Sequence, residues 1–219
     1  MTLADLDTPA LLVDLDIFER NLTRVADYAR EHGLRLRPHT KTHKSPEVAK
    51  LQLESGAAGL TVAKVGEAEV LAAALPPVDL LVAFPIFGAQ KVKRLREVAR
   101  KSPVTVALDS LEAAQQLEGT VCSVLVEIDV GLGRVGVTPA EALVLAREIE
   151  KTPGLRFRGL TFYPGHIKEE DAAAIRKLSG DVAQAVELFR KAGLAPEIVS
   201  GGSTPALFHS HRIEGLNEI

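Results

Sequence analysis

The segment VTVALDSLEAAQQLEGTVCSVLVEID, residues 104–129, contains the pattern that decides the fold. It begins with the apolar run Val104–Leu108, continues through a stretch of helix-forming residues, and returns to an apolar run over Val121–Asp129. Asp109 or Ser110 is placed to cap the intervening helix. Two short apolar strands joined by a helix indicate a parallel sheet, because parallel strands need a crossover of a dozen or more residues.

The same alternation of strand and helix extends along the chain in both directions. Predicted strands lie at Leu34–Lys41, Ala58–Ala63, Asp79–Phe84, Val104–Leu108, Val121–Asp129, Phe157–Tyr163 and Glu197–Ser200. Predicted helices lie between them, at Ile17–His32, Pro46 to about Ser55, Gly66–Ala74, Ala89–Lys101, Ser110 to about Leu117, Pro139–Glu150 and Asp171–Ala192. The strands are mostly continuous apolar runs, as expected where helices cover both faces of a sheet. The pattern predicts an α/β fold of the TIM (β/α)8-barrel type.

The number of strands leaves one question open. Seven predicted strands follow the first helix, and the short apolar segment ALLVD, Ala10–Asp14, precedes it. Either Ala10–Asp14 is the first barrel strand, or it lies outside the barrel and the last strand is missing. The final segment, Ala206–Ile219, has no clear periodicity and no recognisable closing strand.

Composition excludes several classes of protein. The chain has 219 residues, a formal net charge of −3 and no Trp, which argues against nucleic-acid binding. We see no signal peptide at Met1 and no apolar run long enough to span a membrane, so we expect a cytoplasmic protein. Cys122, the single cysteine, lies in an apolar run and is predicted to be a buried, unreactive thiol.

A basic cluster lies at the carboxyl end of the first predicted strand, within LRLRPHTKTHKS, residues 34–45. Lysine forms a Schiff base only as the neutral amine, which burial and neighbouring cations favour. Arg37, His39, His43 and Lys44 surround Lys41 in the sequence, and strand alternation would place Arg37 and His39 on its side. We therefore predict a Schiff-base role for Lys41, with a basic surface cluster that binds an anion as the alternative.

Two glycine-containing turns follow later strands. GLGRVG, residues 131–136, fits neither the dinucleotide fingerprint nor a P-loop, but its Arg134 could hold an oxyanion. SGGST, residues 200–204, follows the seventh predicted strand, where barrel phosphate sites often form. We expect this second turn to bind a phosphate. The alternative for Arg134 is an exposed arginine without a ligand. The alternative for residues 200–204 is an ordinary tight turn.

Tyr163 and His166 follow the sixth predicted strand and could line a site. Tyr163 could stack on a ring or form a hydrogen bond, and His166 could act as an acid or a base. Both could equally be structural or solvated residues. The pair His209 and His211 could suggest a metal site, but we expect a solvated loop there and predict no metal ligands in this chain.

These segments together resemble the D-threonine aldolase and D-serine dehydratase-like family, which are pyridoxal 5′-phosphate (PLP) enzymes of the alanine-racemase type. The resemblance is most specific in RPHTKTHKS at Arg37–Ser45, with DTPALLVDL ahead of it. Three further blocks match in the family's order. They are GLTVAKVGEAEVL, VEIDVGLGRVGV and IVSGGSTP, at residues 59–71, 126–137 and 198–205.

The resemblance implies a PLP-binding barrel and a role for each candidate residue. Lys41 would hold the cofactor in a Schiff base, Arg134 would contact its phenolic oxygen, and Tyr163 would line it. A possible base is His166. The cofactor phosphate would be bound by Gly201, Gly202, Ser203 and Thr204.

The resemblance also implies an activity and a larger domain plan. It implies a lyase of D-amino acid metabolism that cleaves D-threonine to glycine and acetaldehyde. Alternatives are a D-serine dehydratase, an amino-acid racemase or a non-catalytic PLP-binding domain. Family members continue into a C-terminal β domain with a divalent-metal site, which residues 1–219 do not include. We therefore expect the N-terminal barrel domain alone, assembled as a homodimer.

Overall fold

Six parallel strands form one curled sheet in the computed structural model, which describes residues 2–168 and 171–219. Each strand pairs with the next one along the chain, so the spatial order equals the sequence order. The strands are β1 Leu60–Val62, β2 Leu80–Val82, β3 Val104–Leu108, β4 Cys122–Glu127, β5 Leu155–Phe162 and β6 Ile198–Gly201. The predicted α/β barrel-type fold is therefore confirmed.

Helices connect the strands and pack on the outside of the sheet. The α-helices are α1 Leu15–Glu31, α2 Pro46–Glu54, α3 Val65–Ala74, α4 Ala89–Ala99, α5 Leu111–Gln116, α6 Pro139–Lys151 and α7 Ala172–Lys191. Two 3-10 helices lie at Leu3–Asp5 and Thr204–Arg212. Within the described ranges, none of these helices has the length and apolar character needed to cross a membrane.

Side-chain caps fix where several helices begin. Ser45, Ser110 and Thr138 each accept a hydrogen bond from a backbone N–H in the first helical turn, as the sequence predicts. The first helix begins at Leu15, two residues before its predicted start at Ile17, because Asp14 caps it by accepting from Ile17 N at 3.0 Å.

Two short segments occupy the space between β6 and β1. In residues 217–219, Glu218 forms one isolated bridge to Ser200 of β6 and another to Arg35, in the second segment. That second segment reaches β1 through the bridge between His39 and Thr61. Backbone hydrogen bonds of 2.8 Å from Ile219 N to Arg35 O and 3.0 Å from Gly201 N to Glu218 O join them. The last strand position is therefore filled only by a short bridged segment.

Two predicted strands are wrong in detail. Leu34–Lys41 is extended but forms only isolated bridges, at Arg35 and His39, and a turn begins at Thr40. Ala10–Asp14 has no regular structure and lies exposed, with Leu11 at 94% relative exposure. A strand needs a neighbour for its backbone groups, and the described residues place none beside this segment.

The sheet separates two apolar layers. The outer layer lies between strands and helices and contains Val124, Val126 and Phe189, each fully buried. A smaller inner cluster of Leu81, Ala107, Leu125 and Ile198 lies inside the curl. Side chains alternate along a strand, so alternate residues point to the inner cluster and to the helices. Truncating a buried leucine in such a cluster costs about 2–5 kcal/mol.

A buried ionic network lies beneath the inner cluster, at the amino end of the strands. Arg37 Nε donates to Glu218 Oε1 at 2.8 Å, and both side chains are at most 2% exposed. Asp79 Oδ2 accepts from Arg37 Nη2 at 3.1 Å and from Arg158 Nη1 at 2.9 Å. Burial raises the pKa of Asp79, but the two arginines outweigh burial and hold that pKa below its ordinary value. These charges therefore pair with one another, although Asp79 Oδ1 and Glu218 Oε2 have no hydrogen-bond partner among the described residues.

Candidate functional site

The carboxyl ends of the parallel strands bring the predicted site residues to one edge of the sheet. Lys41 follows the extended segment that pairs with β1 and lies exposed in a turn. Its Nζ atom is 5.8 Å from the centre of the Tyr163 ring, which follows β5. Arg134, in the loop after β4, places its Cζ atom 4.7 Å from the same ring centre. Lys41 and Arg134 thus approach one aromatic ring from two separate loops.

The loop that carries Arg134 is held by two carboxylates. Asp129 Oδ1 accepts from Gly131 N at 2.9 Å and Gly133 N at 3.1 Å. Those backbone N–H groups, led by Gly133, lower the pKa of Asp129. Asp109 Oδ2 accepts from Gly136 N at 3.0 Å. Gly136 has φ +102°, and a Cβ there would lie 2.6 Å from Asp129 N, so this position requires glycine.

The turn predicted to bind a phosphate lies at the end of β6. A Cβ at Gly201 would lie 2.6 Å from the Phe162 ring, and Gly202 has φ +147°, so the backbone conformation itself requires small residues. Ser203 is buried, and its Oγ atom has no hydrogen-bond partner among the described residues. Thr204 is exposed and opens the 3-10 helix. A buried, unpartnered hydroxyl in a turn of this kind fits the oxygen of a bound phosphate.

One backbone donor of that turn is already used. Gly201 N donates to Glu218 O at 3.0 Å, as part of the contact that closes the sheet. Gly201 therefore contributes its lack of a side chain to the turn, and its N–H belongs to the sheet. The hydroxyl of Ser203 remains as the buried side-chain donor that faces no protein acceptor among residues 2–168 and 171–219.

The basic neighbours predicted for Lys41 are divided among different environments. Arg37 lies in the ionic network at the other end of the strands, and Lys44 lies 3.9 Å from Glu67. Burial, followed by the charge of Lys41, lowers the pKa of His39 to about 4. His39 is therefore neutral near pH 7, and its Nδ1 accepts from the Lys41 backbone N at 3.3 Å. Its ring positions the turn and adds no positive charge there.

His43 is likewise turned toward the backbone. Its Nδ1 accepts from Ser45 N at 3.1 Å, and burial lowers its pKa. His166 is exposed in the loop after β5 and lies beside Gly131, where its Nε2 would be 3.6 Å from an added Cβ. The structure therefore brings His166 next to the glycine-rich loop that carries Arg134.

Sequence reasoning missed Glu127, the last residue of β4. It is 5% exposed, and it lies two residues beyond Leu125 of the inner cluster, so it faces the interior. Burial raises its pKa to about 7, with Arg134 acting in the opposite direction and Asp109 and Asp129 adding to the increase. The alternation along β4 could have identified it, because a carboxylate on an otherwise apolar inward face is costly.

His211, one of the two histidines considered for a metal site, belongs to a separate cluster. His211 Nδ1 is 2.9 Å from the Tyr28 hydroxyl, and its ring stacks on His32 with centroids 4.0 Å apart. This cluster joins the end of α1 to the 3-10 helix that follows the phosphate-type turn. Over the described ranges, no group of three or more His, Cys, Asp or Glu side chains is arranged to hold a metal ion.

Fold and site together define a parallel α/β barrel with a lysine, an arginine and a glycine-containing turn at the carboxyl end of its strands. The chain belongs to the family described as alanine racemase, N-terminal domain, which it matches over residues 13–219. The predicted resemblance is thereby confirmed at the level of the family.

Relatives named for their activities match nearly the whole chain. A 3-hydroxy-D-aspartate aldolase of Paracoccus denitrificans (strain Pd 1222) is 38% identical over 99% of this chain and 59% of its own length. A D-threonine aldolase of Arthrobacter sp. is 37% identical over 92% of this chain and 56% of its own length. The crystal structure of a D-threonine aldolase from Filomicrobium marinum superposes with a TM-score of 0.93, at 36% identity, over 99% of this chain and 62% of that one. The chain thus spans about six-tenths of the relatives it matches.

Proposed function

We propose that this chain is the cofactor-binding barrel of a PLP-dependent lyase that acts on D-β-hydroxy amino acids. The observation that supports this proposal is the approach of Lys41 and Arg134 to the Tyr163 ring, at 5.8 Å and 4.7 Å. The unpartnered hydroxyl of Ser203, in a turn at the same edge, adds a site for the cofactor phosphate. Relatives whose names specify D-threonine or 3-hydroxy-D-aspartate aldolases support the substrate class.

Each candidate residue has a defined task in this proposal. Lys41 would attach the cofactor covalently and would release it to the substrate amine, while Tyr163 would pack against the ring. Arg134 neutralises the phenolic oxygen, and Gly201, Gly202, Ser203 and Thr204 surround the phosphate. When bound, PLP supplies an electron sink that accepts the charge left by cleavage of a bond at the α-carbon.

His166 is the proposed base. It is exposed and lies beside Gly131, at the edge of the loop that carries Arg134, so it can exchange protons with solvent. Its task is to hold the proton that leaves the substrate β-hydroxyl. D-Threonine would then give glycine and acetaldehyde. A divalent metal that binds this hydroxyl in complete family members would be supplied from outside residues 1–219.

The covalent step is tested by trapping. The protein is mixed with PLP, the visible absorption band at about 420 nm is recorded, and the adduct is reduced with borohydride and located by peptide mass spectrometry. We expect attachment at Lys41 and its complete loss in Lys41→Ala. Lys44→Ala is the matched control, because Lys44 lies three positions away and faces Glu67. Attachment that persists in Lys41→Ala would overturn the assignment.

The alternative function is non-catalytic PLP binding by this barrel. A substrate panel separates the candidates. Acetaldehyde from D-threonine indicates the aldolase, pyruvate from D-serine indicates a dehydratase, and exchange of the α-proton without cleavage indicates a racemase. PLP attachment with none of these products indicates a binding domain. We also propose that the protein is cytoplasmic and forms a homodimer. Sedimentation of the PLP-loaded protein would test the dimer.

A further inference from the structure

A single carboxylate inside the site is left without a partner. Asp109 and Asp129 both accept backbone N–H groups of the loop that carries Arg134. Glu127 is the last residue of β4, two positions before Asp129, and it is paired in register with Thr161 of β5. Its carboxylate forms no ion pair or side-chain hydrogen bond with residues 2–168 and 171–219, although it is 5% exposed.

The position of Glu127 directs that carboxylate toward the mouth of the barrel. Leu125, two residues earlier on β4, belongs to the inner apolar cluster, so Glu127 stands one layer nearer to the carboxyl end. Arg134 is the cation that acts on it, and Asp109 and Asp129 are the anions. From β5 the neighbours are the uncharged Thr161 and then Tyr163, the ring that Arg134 covers.

We propose that Glu127 takes up a proton from solvent when the anionic cofactor binds, and that it thereby leaves the charge of Arg134 available to the cofactor. This inference rests on the proposed function, because it requires PLP to bind beside Arg134. Glu127 acts through Arg134 and is a positioning residue.

The sign of the effect follows from the charges that surround Glu127. In the free protein, Arg134 favours the ionised carboxylate, whereas burial and the two aspartates oppose it. These opposing influences place the pKa of Glu127 at about 7, so it is largely ionised at pH 8. A phenolic oxygen on Arg134 removes the favourable influence and adds a negative charge. Both changes raise the proton affinity of Glu127, and the protonated acid can donate a hydrogen bond into the site.

Isothermal titration calorimetry with pyridoxine 5′-phosphate tests the proposal. This probe has the ring and the phosphate of PLP but no aldehyde, so it leaves Lys41 chemically unchanged. Titrations at pH 8 in buffers of different ionisation enthalpy give the number of protons taken up. We expect the wild-type protein to take up roughly half a proton or more in excess of Glu127→Gln, and this excess to disappear at pH 5.5.

The control variant is Glu112→Gln, an exposed acid in the first turn of α5, which should behave as the wild type does. Equal proton uptake by the wild type and Glu127→Gln would overturn the inference and leave the proposed function intact. If no binding heat is seen with the wild type, the proposed function itself fails.

A second measurement avoids any variant, in case Glu127→Gln does not fold. Infrared difference spectra of the wild-type protein, with and without the probe, should show a new protonated-carboxyl band at pH 8. Labelling the glutamates with ¹³C should shift this band to lower frequency. A difference spectrum with no carboxylic-acid band at pH 8 would contradict the proposal.

Discussion

The two ends of the barrel treat their charged residues in opposite ways. At the amino end, Arg37, Asp79, Arg158 and Glu218 form a buried network at distances of 2.8–3.1 Å. At the carboxyl end, the Ser203 hydroxyl has no hydrogen-bond partner, and the Glu127 carboxylate forms no ion pair, among the described residues. Only the apolar layer that contains Leu81, Ala107, Leu125 and Ile198 separates the two ends.

The amino end holds its buried charges in ion pairs, and we propose that the carboxyl end binds a ligand. The ion pairs join Arg37, Asp79, Arg158 and Glu218, which come from separate segments of the chain. Buried polar groups without partners cost free energy in the empty protein, and a ligand that satisfies them recovers that cost as affinity. The predictions below alter the two ends separately.

The largest effect is expected at the amino end. Glu218→Ala should lower the free energy of unfolding by about 3–5 kcal/mol, because it leaves the Arg37 guanidinium buried without its carboxylate. Urea unfolding followed by circular dichroism measures this loss. Arg37→Met combined with Glu218→Leu should recover most of it, because an apolar pair leaves no unpaired charge.

Lys41→Ala is the matched variant at the other end. Lys41 is exposed, and it forms no ion pair within residues 2–168 and 171–219, so its loss should change the free energy of unfolding by less than about 0.5 kcal/mol. Equal destabilisation by Glu218→Ala and Lys41→Ala would contradict the contrast between the two ends.

The sequence predicted the carboxyl end better than the amino end, for a physical reason. Caps such as Ser45 and the glycine turn at 200–204 depend on residues a few positions apart, so their patterns are visible locally. The ionic network joins Arg37 to Glu218 across 181 positions, and no local pattern links them. Arg37 was therefore interpreted as a neighbour of Lys41, although its partners lie at the opposite end.

The structures of residues 10–14 and 34–41 were misjudged for a related reason. Both segments have strand composition, but a strand exists only where another backbone lies beside it. Glu127 was not identified, although the alternation along β4 places it on the same face as Leu125 of the inner cluster.

The second prediction uses pH to separate the two ends. The pKa of His39 falls from 6.5 to about 4 on folding, so the unfolded chain takes up the proton more readily. The stability that the neutral His39 ring contributes is fully present above pH 6.5. It is lost as the pH falls toward about 4. His39→Gln should flatten the stability curve within that window, measured as the difference between two series of urea titrations.

Asp79 supplies the contrast at the amino end. Its folded pKa lies below the ordinary value of 3.8, so its contribution is present above that pH and is lost only below it. Asp79→Asn should therefore leave the slope between pH 6.5 and 4 unchanged, although it lowers stability throughout. The contrast would be contradicted if Asp79→Asn changed the slope of the free energy of unfolding against pH in that window. It would also be contradicted if His39→Gln left that slope unchanged.

The smallest effect on stability is expected at Ser203. Its buried hydroxyl has no partner among the described residues, so Ser203→Ala removes an unsatisfied group and should raise the free energy of unfolding slightly, by less than about 1 kcal/mol. Ser102→Ala is the matched control. The Ser102 hydroxyl is also buried, but it accepts from Val78 N at 3.4 Å, so its loss should lower stability by about 1 kcal/mol.

Ligand affinity should fall in the Ser203 variant and stay unchanged in the Ser102 variant. This is the reverse of the order expected for the loss of stability. Ser203→Ala should weaken the binding of PLP, and of inorganic phosphate as a competitor, several-fold, because the turn loses a donor aimed at the phosphate. Ser102→Ala should leave both affinities unchanged. If Ser203→Ala lowers stability but leaves phosphate affinity intact, its hydroxyl belongs to the packing of the turn and the phosphate lies elsewhere.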